Sequence, residues 1–255
     1  YGHTTSKTRR DDVSTTTSGR GNIKSSFFSG GFTITILREV YMNILVTAPV
    51  TQRDIEELKK IAPEAEFSFK DEYDRFGGVK EDVQNADVIL GSVDPGLIME
   101  SKRLKWIQTS SAGVGPFIKQ GILDKDTVLT NSSGAYGLAI SEHMIGMLLE
   151  IYKKLNIYRD YQHEMKWETA GKVKSVYGAT VAVLGMGDIG GEFAKRCKAL
   201  GAYVIGVRRK NADKPEYVDE MCLSADLDSV LKRADVLAVS LPGTAETNGM
   251  ISKEK

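Results

Sequence analysis

Gly185, Gly187 and Gly190 stand in the stretch "VLGMGDIG" (183–190) with the spacing Gly-x-Gly-x-x-Gly. Glycine at the first place permits a tight turn. At the second it lets backbone approach an anion with no side chain in the way, and at the third it lets a helix pack closely on a strand. The spacing alone is a weak signal, because glycine is common. Its surroundings make it specific: the apolar run "VAVL" leads straight into Gly185, and "EFAKRCKALG" follows Gly190 and Gly191 as a helix that stops at Gly201. Free N–H groups and the positive end of a helix dipole then favour a phosphate. The chemistry expected at this point is the holding of a dinucleotide pyrophosphate.

The next strand, "AYVIGV", ends in Val207, Arg208, Arg209 and Lys210. A site for NAD(H) usually carries Asp or Glu there to hold the ribose 2′-hydroxyl. A guanidinium instead grips a 2′-phosphate bidentately. The expectation is NADP(H) in preference to NAD(H), with Arg208 and Arg209 as the clamp and NAD(H) still possible. The alternative is a basic strand end that is merely solvated.

These residues need a scaffold of alternating strands and helices. From Met42, "NILVTAPV" is a strand, and Thr51 with Asp54 forms a capping box for a helix that runs to Pro63. Short strands follow at "AEFSF", "ADVILG", "LKWIQTS" and "TVLTN". The segment 138–167, "LAISEHMIGMLLEIYKKLNIYRDYQHEMKW", carries Ile140, Met144, Met147, Leu148, Ile151 and Leu155 at helical spacing, so one long helix is expected. A second unit follows: "ATVAVLG", a helix over 189–200, "AYVIGV", a helix over 225–233 and "DVLAVSLP". The class is α/β, with parallel sheets covered by helices on both faces. The division expected is a disordered or non-native tail at 1–41, a first domain at 42–140, a linking helix at 141–170 and a dinucleotide-binding domain at 171–255.

Composition narrows the function further. Lys and Arg number 34, balancing 34 Asp and Glu, so no global field points to nucleic acid or a membrane surface. Apolar runs are strand-length and end in Gly, Pro or charge, so no membrane span is expected. Cys197 and Cys222 have neither ligand spacing nor disulfide density, and only His3, His143 and His163 are present. No metal site is expected, and a reducing, cytoplasmic setting is. The Ser/Thr/Arg-rich leader could be a transit peptide, but Asp11 and Asp12 argue against it and favour Met42 as the natural start.

Four stretches in order carry a family resemblance: "IQTSSAGVG" (107–115), "NSSGAYGLAISEHMIGMLL" (131–149), "VAVLGMGDIGGEFAKRCKALGAYVIGVRR" (181–209) and "ADVLAVSLPGTAETNGMI" (234–251). From Met42 onward the chain resembles the D-isomer-specific 2-hydroxyacid dehydrogenases. That resemblance implies a flavodoxin-like substrate domain followed by a Rossmann domain, and hydride transfer between a nicotinamide and a small 2-keto acid. It implies that backbone amides around Ala112 and Gly113 hold the substrate carboxylate, and that Asp188 and Ile189 lie at the pyrophosphate. Leu241, Pro242 and Thr247 would line the nicotinamide side. A homodimer is the implied assembly of the intact protein.

In that family a catalytic Arg, Glu and His follow the segment that includes Thr247, beyond Lys255 in this numbering. The expectation is a C-terminally truncated reading of a normal enzyme, whose Rossmann sheet keeps three strands, and a polypeptide inactive on its own. Glu142 and His143, in "SEHM", are expected to be helix-surface structure. The alternative function is a non-catalytic dinucleotide-binding or interaction protein.

Overall fold

The computed structural model describes residues 13–18, 22–29, 32–38, 42–70, 79–210 and 214–253. Strands β1 (Val13–Ser18), β2 (Asn22–Ser29) and β3 (Phe32–Arg38) pair as an antiparallel meander, with Val13 opposite Phe27 and Ile23 opposite Arg38. The backbone of these three described segments is extended, in keeping with the Thr, Ile and Val in "VSTTTS" and "FTITILR". His3 lies outside the described residues.

Two compact units are present: one takes the chain up to Ser110 together with Gly115–Thr130, the other Ser111–Val114 together with the chain from Asn131. The first contains β4 (Asn43–Val46), α1 (Gln52–Ile61), β5 (Glu66–Phe69), α2 (Lys80–Asn85), β6 (Val88–Leu90), α3 (Pro95–Ile98), β7 (Trp106–Gln108) and β8 (Val128–Thr130). Its sheet is parallel with the order β5-β4-β6-β7-β8, the flavodoxin-like arrangement. The capping box of α1 forms as expected: Thr51 N–H donates to Asp54 Oδ2 at 2.8 Å, and Asp54 N–H to Thr51 Oγ1 at 3.3 Å. Leu45, Ile89 and Ile107 fill the core between sheet and helices.

The second unit contains α4 (Gly137–Lys153), α5 (Leu155–His163), β9 (Thr180–Leu184), α6 (Asp188–Ala199), β10 (Tyr203–Arg208), β11 (Glu220–Leu223), α7 (Leu227–Leu231) and β12 (Val236–Val239). The sheet runs β11-β10-β9-β12, all parallel, which is the 3-2-1-4 order of a Rossmann half and its first crossing. Four strands replace the three expected; β11 was overlooked because "EMCL" is short and only partly buried. Alternate residues of β9 and β10 serve opposite faces. Val181, Val183 and Val204 meet Phe193, Ala194 and Cys197 of α6 and Leu148 of α4, while Ala182, Leu184, Ile205 and Val207 meet Leu227 and Val230 of α7. Burial on both faces is why these strands read as unbroken apolar runs.

One device recurs in both units. An Asp just before a strand accepts an N–H from the first or second residue of a neighbouring strand: Asp87 from Asn43 at 3.1 Å, Asp219 from Val204 at 2.8 Å and Asp235 from Thr180 at 2.9 Å. These carboxylates satisfy donors that the parallel ladder leaves over at its edge.

The single helix expected over 138–167 is two helices. Lys154 takes a left-handed conformation (φ 56°), and its N–H caps α4 on the carbonyls of Glu150 and Ile151. No Gly or Pro marks the break. Tertiary hydrogen bonds hold it: Lys153 Nζ donates to Lys174 O at 2.8 Å, Lys154 Nζ to Ala170 O, and Ala170 N–H to Tyr158 Oη at 3.2 Å. The helical stripe also divides. Leu148 is buried with Tyr152, whereas Met147, Ile151 and Leu155 are at least half exposed. No helix among the described residues is long and apolar enough to cross a membrane.

Candidate dinucleotide site

The loop between β9 and α6 owes its shape to three glycines with three different constraints. Gly185 has φ 95°, and a Cβ there would lie 2.3 Å from Ser240 O, against backbone that cannot yield. Its N–H donates to Val207 O at 3.0 Å, and Ser240 N–H to Leu184 O at 2.8 Å, so both neighbouring strands grip the turn. A Cβ on Gly190 would lie 1.9 Å from Gly185 O and 3.1 Å from Val183 Cγ1, so helix and strand meet backbone to backbone. Gly187 differs: a Cβ there would meet no protein atom within 4 Å. Nothing in the protein itself demands its bareness, and a close-approaching ligand would. The first helical bond of α6 runs from Gly191 N–H to Gly187 O at 2.8 Å, and the N–H groups before it lie outside the ladder by helix geometry.

Around this loop is a cleft of about 580 Å³, within the range of small-molecule sites. Gly185, Met186 and Gly187 form one part of its lining, Val207, Arg208, Arg209, Lys210 and Ser224 a second, and Leu241, Pro242, Thr244, Glu246, Thr247 and Met250 a third. It sits where strand order reverses, between β9 and its neighbours β10 and β12, at their carboxyl ends. Of the residues expected from sequence, the fold brings Gly185, Gly187, Arg208, Arg209, Leu241, Pro242 and Thr247 into one cleft. Leu241, Pro242 and Thr247 line the same cleft as the basic strand end.

Asp188, Ile189 and Gly190 lie at the start of α6 outside that lining. The Asp188 carboxylate is turned to the first residue of α4: Oδ1 lies 2.2 Å from where a Cβ of Gly137 would be. Its backbone opens α6, and its side chain belongs to the packing of α6 on α4. Ala112 and Gly113 are exposed in the loop after β7. Ala112 O accepts from Asn131 Nδ2 at 2.9 Å and Gly113 O from Ser111 Oγ at 2.9 Å, both bonds lying within the second unit.

Charge in the cleft is mixed, which the sequence reading missed. Opposite the basic run stands Glu246, whose carboxyl is held below its usual range by a hydrogen bond from the Thr244 side chain, by its own backbone N–H and by the charge of Arg209. Thr247 shapes this segment: its hydroxyl donates to Pro242 O at 2.5 Å and accepts from Thr244 N–H at 2.9 Å. A polar segment without periodicity carries no sequence signal for such a fold-back.

The remaining candidates lie outside the cleft lining. His143 and His163 are exposed on α4 and α5, and Glu142 pairs at 3.7 Å with Arg196 of α6. Burial pushes the Cys197 thiol up to about 12, and burial and the Glu220 carboxylate raise that of Cys222. No cluster of His, Cys, Asp and Glu among the described residues could hold a metal ion.

Residues 145–255 match the family described as D-isomer specific 2-hydroxyacid dehydrogenase, NAD binding domain. A D-3-phosphoglycerate dehydrogenase of Archaeoglobus fulgidus is 29% identical over 217 residues, covering 83% of this chain and 40% of that protein. A hydroxypyruvate reductase of Thermotoga maritima is 30% identical over 166 residues, covering 64% and 52%. Among solved structures, a D-isomer specific 2-hydroxyacid dehydrogenase family protein of Aeromonas salmonicida superposes with a TM-score of 0.68 at 27% identity, over 81% of this chain and 66% of that one. The chain therefore spans 40% to 52% of the length of these two relatives known by sequence.

Proposed function

We propose, from the match of residues 145–255 to the NAD binding domain of the D-isomer specific 2-hydroxyacid dehydrogenases, an oxidoreductase that couples a nicotinamide dinucleotide to a small 2-keto or 2-hydroxy acid. The observation that carries this reading is Gly187, bare toward open space between two glycines whose bareness the protein itself requires. The start of α6 and the amides near Gly187 would hold the pyrophosphate, and Arg209 and Lys210 would favour NADP(H) over NAD(H). When bound, the dinucleotide supplies a hydride. Amides around Ala112 and Gly113 would hold the substrate carboxylate, an assignment supported by the small, exposed residues of that loop.

Acid–base catalysis by His143 or His163 forms no part of this reading, since both are exposed on helices that do not line the cleft. The polypeptide as it stands is proposed to bind the dinucleotide and to oxidise NADPH with glyoxylate only at background rate. The exposed Met147, Ile151 and Leu155 of α4 and α5 support a homodimer of the intact protein, and two free cysteines support a reducing, cytoplasmic setting. Fluorescence titration with NADPH and NADH tests the reading. Saturable binding, tighter for NADPH, is expected; binding of neither would overturn it.

A further inference from the structure

Arg208 and Arg209 are adjacent in sequence and differently employed. Arg208 is half-buried, and its Nη2 donates to Met186 O at 3.0 Å. Met186 stands between Gly185 and Gly187, with its side chain buried against β10: a Cβ on Gly206 would lie 3.1 Å from Met186 Cγ and 3.2 Å from its Sδ. Strand β10 therefore holds the glycine loop twice, by the bare face of Gly206 beneath the Met186 side chain and by the Arg208 hydrogen bond to its backbone. Both arginines line the cleft with Glu246, but Arg209 is exposed, whereas the Arg208 guanidinium is engaged by the loop carbonyl.

We propose a division of labour: Arg208 is a positioning residue that fixes the glycine loop for either dinucleotide, and Arg209 and Glu246, of opposite charge in one cleft, set the discrimination between a 2′-phosphate and a 2′-hydroxyl. This rests on the reading of the cleft as a dinucleotide site. A carboxylate in the lining repels a phosphate dianion and accepts a hydrogen bond from a ribose hydroxyl; a guanidinium favours the phosphate. With both present, cofactor preference is a balance from which either charge can be removed alone. Arg208 makes a single hydrogen bond to a carbonyl, not a bidentate fork to an anion, so a lysine ammonium can replace it there.

The test is the Kd of NADH and of NADPH, by fluorescence titration of the full chain, for wild type, Arg208→Ala, Arg208→Lys, Arg209→Ala and Glu246→Gln. Arg208→Ala is expected to weaken both cofactors about tenfold with their ratio held within about twofold, the loss of one charge-assisted hydrogen bond. Arg208→Lys should recover most of that loss. Arg209→Ala should move the NADPH-to-NADH preference about tenfold toward NADH, and Glu246→Gln should move it several-fold toward NADPH. Selective loss of NADPH in Arg208→Ala, or an unmoved ratio in Glu246→Gln, would overturn the division of labour while leaving the dinucleotide site standing. Failure of wild type to bind either cofactor would instead remove the site on which the proposal rests.

Discussion

The carboxylate of Asp188 occupies the space beside the bare Cα of Gly137, 2.2 Å from where a Cβ would sit, so the first turn of α6 is packed on the first residue of α4. A Gly137→Ala variant must push Asp188 aside, and Asp188 directly follows Gly187 of the glycine loop. The expected cost is about 1–3 kcal/mol of stability, as for other overpacked sites, accompanied by weaker dinucleotide binding. Thermal unfolding and NADPH titration check this; an unchanged Tm would mean that the two helix starts are not so tightly coupled.

Glu220 and Arg233 make a second prediction, set by pH. Arg233 donates to both Glu220 oxygens at 2.8 and 2.9 Å, and with the Cys222 thiol and Tyr203 hydroxyl it pushes the Glu220 carboxyl down to about 2. The folded value is depressed, so this contribution to stability is present in full above about pH 4.5 and is lost as pH falls toward about 2. Denaturant unfolding from pH 5 to 2.5 should show the loss, and Glu220→Gln should flatten that part of the profile. An identical profile in the variant would contradict the assignment.

Much of this was legible in the sequence, for identifiable reasons. Strands β9 and β10 are buried on both faces, so their residues had to be continuously apolar, and Thr51 and Asp54 cap α1 through purely local bonds. What escaped depends on distant partners. The break at Lys154 is held by carbonyls of Ala170 and Lys174, and β11 gains its place from pairing with β10. The return of the Glu246 segment to the basic strand end is built from Thr244, Thr247 and Pro242, whose polar sequence reads simply as a loop. The aim of the Asp188 side chain is set by Gly137, 51 positions earlier in the numbering.

The cysteines offer a third check. Cys197 is fully buried with its thiol pushed up to about 12, and Cys222 is partly covered with its thiol raised. The thiolate is the reactive form, so a thiol reagent at pH 7.5 should label Cys197 only on unfolding and Cys222 more slowly than a free thiol. Rapid labelling of Cys197 in the native protein would show that α6 is not packed on the sheet as described.

Gly190 and Gly187 should respond oppositely to the same substitution. Gly190→Ala drives a methyl group into Gly185 O, 1.9 Å away, and is expected to cost about 3 kcal/mol or more. Gly187→Ala meets no protein atom within 4 Å and has an extended backbone that alanine adopts, so its cost should stay within about 1 kcal/mol.

That contrast leads to the most direct measurement: NADPH titration of wild type and Gly187→Ala by calorimetry, with thermal unfolding of both. A dinucleotide cradle predicts saturable binding by wild type and at least tenfold weaker binding by a variant whose Tm moves by only a few degrees. Equal affinity in the two proteins would contradict the account, because the bareness of Gly187 would then serve no ligand.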